Sequence, residues 1–321
     1  MSPRTFLAAL AILPFSFTAF AEEKSTDPVF IEPADAGPDF AIQGEYVGEQ
    51  SAAQVIALGN GKFHIIGWSK GLPGAAEDAE KKVEVDAERQ GDGDKAVFDG
   101  GGWNGKIESG QITATSTEGR AAELHRVERE SPTLGAKPPE GAIVLFDGSN
   151  ADAWTNGHVD DRKLLAGGTK SKHKFGDFTL HVEFRIPFKP TARGQARGNS
   201  GVYLQDRYEI QVLDSFGLNG ESNECGGIYS KIKPLVNACF PPLSWQTYDA
   251  DFQAARFDAE GKKIKDAVVT VRHNGILVHD HVEIPGSTGG GQPETAESGP
   301  IQLQGHGNPV FFRNIWIVEK K

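Results

Sequence analysis

One short run could carry chemistry: Tyr208-Glu209-Ile210-Gln211-Val212-Leu213-Asp214. Read as a strand, it puts Tyr208, Ile210 and Val212 on one face and Glu209 and Gln211 on the other, so an acid and an amide line the surface opposite a core. A carboxyl held there can move a proton as general acid or base. Just before it lies Arg197-Gly198-Asn199-Ser200-Gly201-Val202-Tyr203, whose glycines allow unusual backbone angles and whose Asn199 and Ser200 can hydrogen-bond a ligand hydroxyl; a plain turn feeding a strand is the alternative. Arg193 and Arg197 in the same loop could hold an oxyanion. Near the C-terminus, His306 stands between Gly305 and Gly307, where the backbone can pass close to a ligand and the imidazole can act as acid or base. Arg313, flanked by Phe312 and followed by Ile315, is either a ligand contact or a buried partner for Glu183.

Other clusters carry less. His279 and His281 share one strand face and His273 lies nearby, but without an identified third ligand a solvated hairpin is expected. Asp92-Gly93-Asp94 lacks the later ligands of a calcium loop. Cys225 and Cys239, 14 residues apart in a Gly/Pro-rich stretch, are expected to form a disulfide; without nearby histidines they do not make a zinc site.

These residues need strands to position them. From Phe178 to Ile186, Phe178, Leu180, Val182, Phe184 and Ile186 alternate with Thr179, His181, Glu183 and Arg185, the period of a sheet with one packed face. Gly201–Gln205 and Tyr208–Leu213, separated by Asp206-Arg207, read as one hairpin; Val268–His273 and Ile276–His281, joined by Asn274-Gly275, read as another. No helical period longer than about two turns follows Gly141. The pattern predicts an all-β protein whose second half is a β-sandwich or jelly roll. Upstream, runs at Val55–Leu58 and Phe63–Ile66 flank Gly59-Asn60-Gly61, glycine is dense from Gly91 to Gly110, and a last run ends near Val127, giving a small β-rich N-terminal domain over residues 22–130. Prolines in residues 131–140 predict an extended linker, and residues 141–321 form the second domain.

Residues 1–21 have the form of a secretory signal: Arg4, an apolar run from Phe6 to Phe20 and Ala19-Phe20-Ala21 before Glu22. The run is shorter than the roughly 20 residues of a membrane span and contains Pro14, no cysteine follows to suggest a lipid anchor, and no later stretch is apolar enough to span a bilayer. An exported protein, periplasmic or extracellular, is expected. Removing Arg4 with the leader takes the formal charge from −11 to −12, which disfavours nucleic acid and anionic lipid as partners. Lys170, Lys172, His173 and Lys174 are the local exception and read as a solvated loop.

Five stretches together carry a resemblance: Leu145-Phe146-Asp147-Gly148; Asp177-Phe178 with Glu183-Phe184-Arg185; Gly198-Asn199-Ser200-Gly201-Val202-Tyr203; Tyr208 to Asp214; and Gly299-Pro300-Ile301-Gln302-Leu303-Gln304-Gly305-His306-Gly307. In that order they resemble the 3-keto-disaccharide hydrolase domain, over nearly all of residues 141–321. The resemblance implies a concanavalin A-like jelly roll and, in some members, cleavage of glycosides already oxidised at carbon 3. A ketone there acidifies the carbon 2 proton, so a base can form an enolate that expels the aglycone from carbon 1, and water then adds back. On matching positions, Glu209 and His306 supply base and acid in either order. Gln211, Asn199 and Arg313 become oxyanion or hydroxyl contacts, and Glu183, Tyr203, Asp214 and Gln304 pocket walls. A divalent cation is neither required nor excluded, and the partner is a glycoside.

Two other readings stay open. Glu209-x-Gln211-x-x-Asp214 resembles the acid-rich strand of sandwich glucanases, whose retaining chemistry uses carboxyls about 5 to 5.5 Å apart, although here the middle acid is an amide and the last is Asp. A non-catalytic lectin-like module fits the same fold.

Overall fold

The computed structural model describes residues 28–76 and 79–320; the leader read in residues 1–21 lies outside them. Strands are numbered in chain order. Eight of them, β1 (Gly44–Val47), β2 (Ser51–Gly59), β3 (Lys62–Ser69), β4 (Glu80–Arg89), β5 (Ala96–Gly100), β6 (Trp103–Glu108), β7 (Gln111–Ser116) and β8 (Ala121–Val127), close an antiparallel barrel in sequence order. Asn60 and Gly61, both at positive φ (57° and 72°), make the two-residue turn that joins β2 to β3. Tyr46, Val55, Phe63 and Ile107 point inward into the barrel core. A short helix, α1 (Gly37–Ile42), sits at one end, where the Tyr46 hydroxyl donates to Ile42 O (2.6 Å).

The rest is a two-sheet sandwich with a small ribbon in which β17 (Arg256–Phe257) pairs with β18 (Lys263–Lys265). One sheet has the order β10 (Trp154–Thr155), β12 (Thr169–Phe175), β21 (Gly299–Leu303), β14 (Ser200–Leu204), β15 (Tyr208–Val212). The other runs β11 (Leu165–Ala166), β22 (Phe311–Glu319), β13 (Phe178–Arg185), β16 (Trp245–Gln253), β19 (Ala267–His273), β20 (Ile276–Ile284), with β9 (Ile143–Phe146) also paired to β22. The apolar faces of both sheets meet in one core, Phe178, Leu180, Val182 and Phe184 from β13 packing with Ile210, Val212, Ile301 and Leu303 from the facing sheet.

Barrel and sandwich share interior. Phe188 and Leu243, both from the sandwich half, are buried in the barrel core, and Phe188 exchanges backbone hydrogen bonds with Phe30 (3.0 and 2.9 Å). Ile56 and Ile66 on the barrel's outer surface pack with Phe216.

Several local expectations change. Residues 131–136 do not form an extended spacer: they fold into successive turns (Leu134 N to Ser131 O, Ala136 N to Thr133 O) docked on the seven-stranded sheet through Ser131 to Thr247 (2.6 Å) and Thr133 to Asp249 (2.6 Å). Lys170, Lys172, His173 and Lys174 lie on β12 rather than in a loop. A register irregularity in β20, with His281 at φ 48°, breaks the alternation, so His279 is buried against Gly226 O (2.7 Å) while His281 is exposed. The disulfide expected between Cys225 and Cys239 is absent; both are free buried thiols, Cys225 Sγ lying 3.2 Å from the Tyr248 hydroxyl and Cys239 Sγ donating to Phe240 O (3.4 Å). Burial pushes the Cys239 thiol well up, which keeps it protonated. Among the described residues, no helix is long and apolar enough to cross a membrane.

Candidate functional site

Pairing in the five-stranded sheet lines up three side chains on its outer face: Tyr203 of β14 stands opposite Glu209 of β15 on one side and Gln302 of β21 on the other. Cross-strand neighbours on one face lie close enough to bond. The Tyr203 hydroxyl is 2.8 Å from Glu209 Oε2 and 2.8 Å from Gly289 O, and it accepts a hydrogen bond from Gln304 Nε2 (3.2 Å). Thr288 Oγ1 accepts from Glu209 N (2.9 Å), and Tyr229 N donates to Glu209 O (3.0 Å), so two segments of chain fold over this strand. Glu209 leans across Gly201, where a Cβ would come within 2.1 Å of its Oε1; only glycine leaves room for the carboxyl.

Burial sets the electrostatics. Glu209 is 2 % exposed and makes no salt bridge among the described residues, and loss of water pushes its carboxyl up to about 7, with the Tyr203 hydroxyl pulling the other way. Burial beside that carboxyl raises the Tyr203 phenol in turn.

A groove of about 590 Å³ runs along the same face, lined by Thr155, Lys170, Lys172, Gln302, Gln304 and Gly305 among others. Gln304 therefore both walls the groove and touches the Tyr203 hydroxyl, giving a hydrogen-bonded line from groove to Glu209. Its Oε1 is buried without a partner. Lys170 Nζ reaches Asp206 (2.7 Å), whose other oxygen is likewise buried and unpartnered. His306 follows Gly305 directly and is exposed; Asn308 donates to His306 O (3.0 Å) and is itself held by Lys189 Nζ (2.8 Å), which fixes this loop.

Asn199 and Gln211 meet through a residue that sequence reasoning passed over: Gln195 Oε1 accepts from Asn199 Nδ2 (3.1 Å) and from Gln211 Nε2 (2.9 Å). Nothing in its type marked it; its place in the arginine-bearing loop was the available signal. Tyr229 and Thr288 were also missed, because the chain that brings them over Glu209 is remote in sequence and irregular.

Three expected site residues lie elsewhere. Glu183 and Arg313 sit on β13 and β22 of the opposite sheet, on its outer face under residues 131–136, so they do not wall this pocket. Arg313 Nε donates to Glu183 (2.7 Å), as do Asn314 Nδ2 (2.8 Å) and Gly135 N (2.6 Å), and the Arg313 guanidinium covers the Trp245 ring at 3.9 Å. Burial alone would raise the Glu183 carboxyl, but bonds from His181, Asn314, Arg313 and Gly135 outweigh it and hold it down to about 2. Asp214 is buried and takes Arg197 Nε (2.6 Å), while the rest of that guanidinium donates to Ala57 O of the barrel (3.2 Å). Arg193 likewise donates to Leu58 O (2.8 Å). Both arginines thus join the sandwich to the barrel rather than face an oxyanion.

The pieces, a jelly-roll sheet with a buried acid beside a polar groove, match a known family over residues 141–318: the 3-keto-alpha-glucoside-1,2-lyase-like domain. The chain belongs to this family. Among solved structures, this chain is 38 % identical to a "putative glycosyl hydrolase" from Parabacteroides distasonis ATCC 8503, with a TM-score of 0.52, 57 % of this chain and 85 % of that one being covered. A second protein of the same description and organism is 18 % identical, with a TM-score of 0.41 over 57 % of this chain and 95 % of its own. No match was found among curated proteins. The matched segment holds Tyr203, Glu209, Gln302, Gln304 and His306, and leaves the barrel outside it.

Proposed function

We propose that this chain cleaves 3-keto-glycosides by elimination followed by hydration, with Glu209 as the base at carbon 2. Family membership supports an enzyme of glycosidase type acting on carbohydrates. The observation that carries the finer reading is the Glu209 carboxyl, buried and pushed up to about 7 beside a polar groove. A base of that strength suits abstraction of a proton acidified by a neighbouring ketone, because it is half ionised near neutral pH and its conjugate acid can return the proton during hydration.

Each step has a residue in this chain. Glu209 takes the carbon 2 proton, and the electron pair flows into the carbon 3 carbonyl as an enolate. Asn199, which keeps one amide N–H beyond its bond to Gln195, is the donor for that oxygen, while the Gln211 amide is taken up by Gln195 and Asn223 O. The enolate collapses, the carbon 1 to oxygen bond breaks, and the leaving oxygen is protonated by His306 at the groove's end. Water then adds across carbons 1 and 2, its hydroxyl to carbon 1 and a proton to carbon 2. Gln304 and Tyr203 hold the Glu209 carboxyl in line with the groove. Arg313 has no part in this, since it is spent on Glu183.

A retaining glycosidase would need a second free carboxyl near Glu209, and Asp214 is committed to Arg197. In this proposal the leader in residues 1–21 sends the enzyme out of the cytoplasm, which N-terminal sequencing of protein recovered from periplasm or medium would check. The direct test is incubation with a 3-keto-glucoside in deuterated water, with and without chelator. Aglycone release with deuterium at carbon 2 is expected; release from unoxidised glucosides as readily, or no release from either anomer, would overturn the reading.

A further inference from the structure

The barrel is filled unevenly along its axis. At the α1 end its interior is occupied by Tyr46, Val55, Phe63 and Ile107 and closed by Phe188 and Leu243. Toward the other end the inward positions two residues along from Val55, Ile65, Ile112 and Leu124 are Ala53, Gly67, Ala114 and Ala122, and there a cavity of about 620 Å³ opens to the surface. Protein interiors hold few voids larger than a water molecule, so a half-barrel emptied by three alanines and a glycine is a built space rather than loose packing. Its volume falls within the usual range of small-molecule sites, roughly 300 to 1,000 Å³.

The lining selects a ligand class. Ile65, Val83, Val85, Phe98 and Ile112 wall the space, and none carries a charge. The lining also includes Trp103 and the hydroxyls of Ser51, Ser69 and Thr117, while Ser116 is buried and accepts from Glu118 N and Arg120 N. The charges on the rim are already satisfied: Arg120 pairs with Glu118 (2.9 Å) and lies 6.0 Å from the Trp103 ring centre, and Lys82 pairs with Glu80. A charged ligand would bury its charge without a partner, whereas an apolar ring would gain both wall contact and the Trp103 face.

We propose that the barrel is a second binding site, for a small uncharged apolar molecule containing a ring, which enters past Trp103 and leaves any hydroxyl at the rim. This site is separate from the groove beside Glu209 and stands whether or not that groove eliminates aglycones. Filling it should stabilise the barrel by mass action.

The test titrates the full chain with the neutral fluorophore N-phenyl-1-naphthylamine, alongside the variant Ala114→Leu/Ala122→Leu, which fills the cavity. Saturable one-site binding is expected, weakened about tenfold or more in the variant, with the melting temperature unchanged or raised and turnover in the groove unaffected. If the double variant melts lower, Ala114→Val serves in its place. Absence of saturable binding, equal affinity in wild type and filled variant, or displacement of the probe by cellobiose would overturn the proposal.

Discussion

Two buried glutamates sit on opposite sheets of the same sandwich and are pushed in opposite directions from the ordinary carboxylate range. Glu209 has a tyrosine hydroxyl for company and is pushed up to about 7; Glu183 takes bonds from Arg313, Asn314 and Gly135 N and is held down to about 2. Both are shut from solvent, 2 % and 0 % exposed, and the bonds and charges around Glu183 outweigh the desolvation that prevails at Glu209. A carboxyl stripped of water and given few donors is poised to take a proton, whereas one surrounded by a cation and amides is a fastener. The contrast explains why two acids that look alike in the sequence take different parts.

The sharpest way to break this comparison is Glu209→Gln, which should lower kcat on a 3-keto-glucoside by about 10²- to 10⁴-fold while leaving the circular dichroism spectrum unchanged. With wild type, kcat/KM should climb as pH rises toward about 7, because the base must be ionised. A variant with full activity would remove Glu209 from the chemistry.

Stability against pH should separate the two acids next. Glu209 binds its proton more tightly folded than unfolded, so its contribution is complete below about 4.5 and falls by about 3 kcal/mol as pH rises through about 7. Glu183 does the reverse: its contribution is complete above about 4.5 and falls by a similar amount, about 3 kcal/mol, as pH drops toward about 2. Urea unfolding across pH, wild type against Glu209→Gln and Glu183→Gln, should lose the alkaline decline in the first and the acid decline in the second. Equal pH profiles would erase the distinction.

Smaller effects sharpen it. Arg313→Ala should cost about 2 kcal/mol of unfolding free energy by leaving Glu183 short of its charged donor, and should spare turnover, since Arg313 is outside the groove; a selective loss of kcat would return it to the site. Tyr203→Phe removes the hydroxyl that pulls the Glu209 carboxyl down, so the rising limb of the rate profile should move to higher pH, with about a tenfold loss near neutrality. An unmoved limb would mean that Tyr203 has no hold on the base.

Much of this was legible in the chain. Alternation from Phe178 to Ile186 and the Asn274-Gly275 turn gave the sandwich, because strand period and turn chemistry are local properties. The hairpin that carries Tyr203 and Glu209 was legible, but a two-residue Asp206-Arg207 loop would set Tyr203 opposite Ile210; the loop has three residues, Gln205 to Arg207, and that shift brings Tyr203 opposite Glu209. Placing Glu183 in the same pocket failed for a different reason: alternation tells which residues leave the core but not which of two sheets they leave from. The docking of residues 131–136 over Glu183 rests on Thr247 and Asp249, more than a hundred residues away, and no local signal foretells it. The two cysteines do meet, their thiols hydrogen-bonded to each other, but spacing does not decide whether two neighbouring sulfurs are joined.

Phe188 gives the family boundary an awkward consequence. The matched segment begins at residue 141, yet this phenylalanine, which it supplies, is a floorboard of the barrel, stacked near Phe30 and Phe40 at 5.9 and 5.4 Å. A gene trimmed to that segment would yield a sandwich with an aromatic ring jutting into water, and a barrel expressed alone would lack its stopper. The boundary of the matched segment and the boundary of the barrel core therefore fall at different places in the chain.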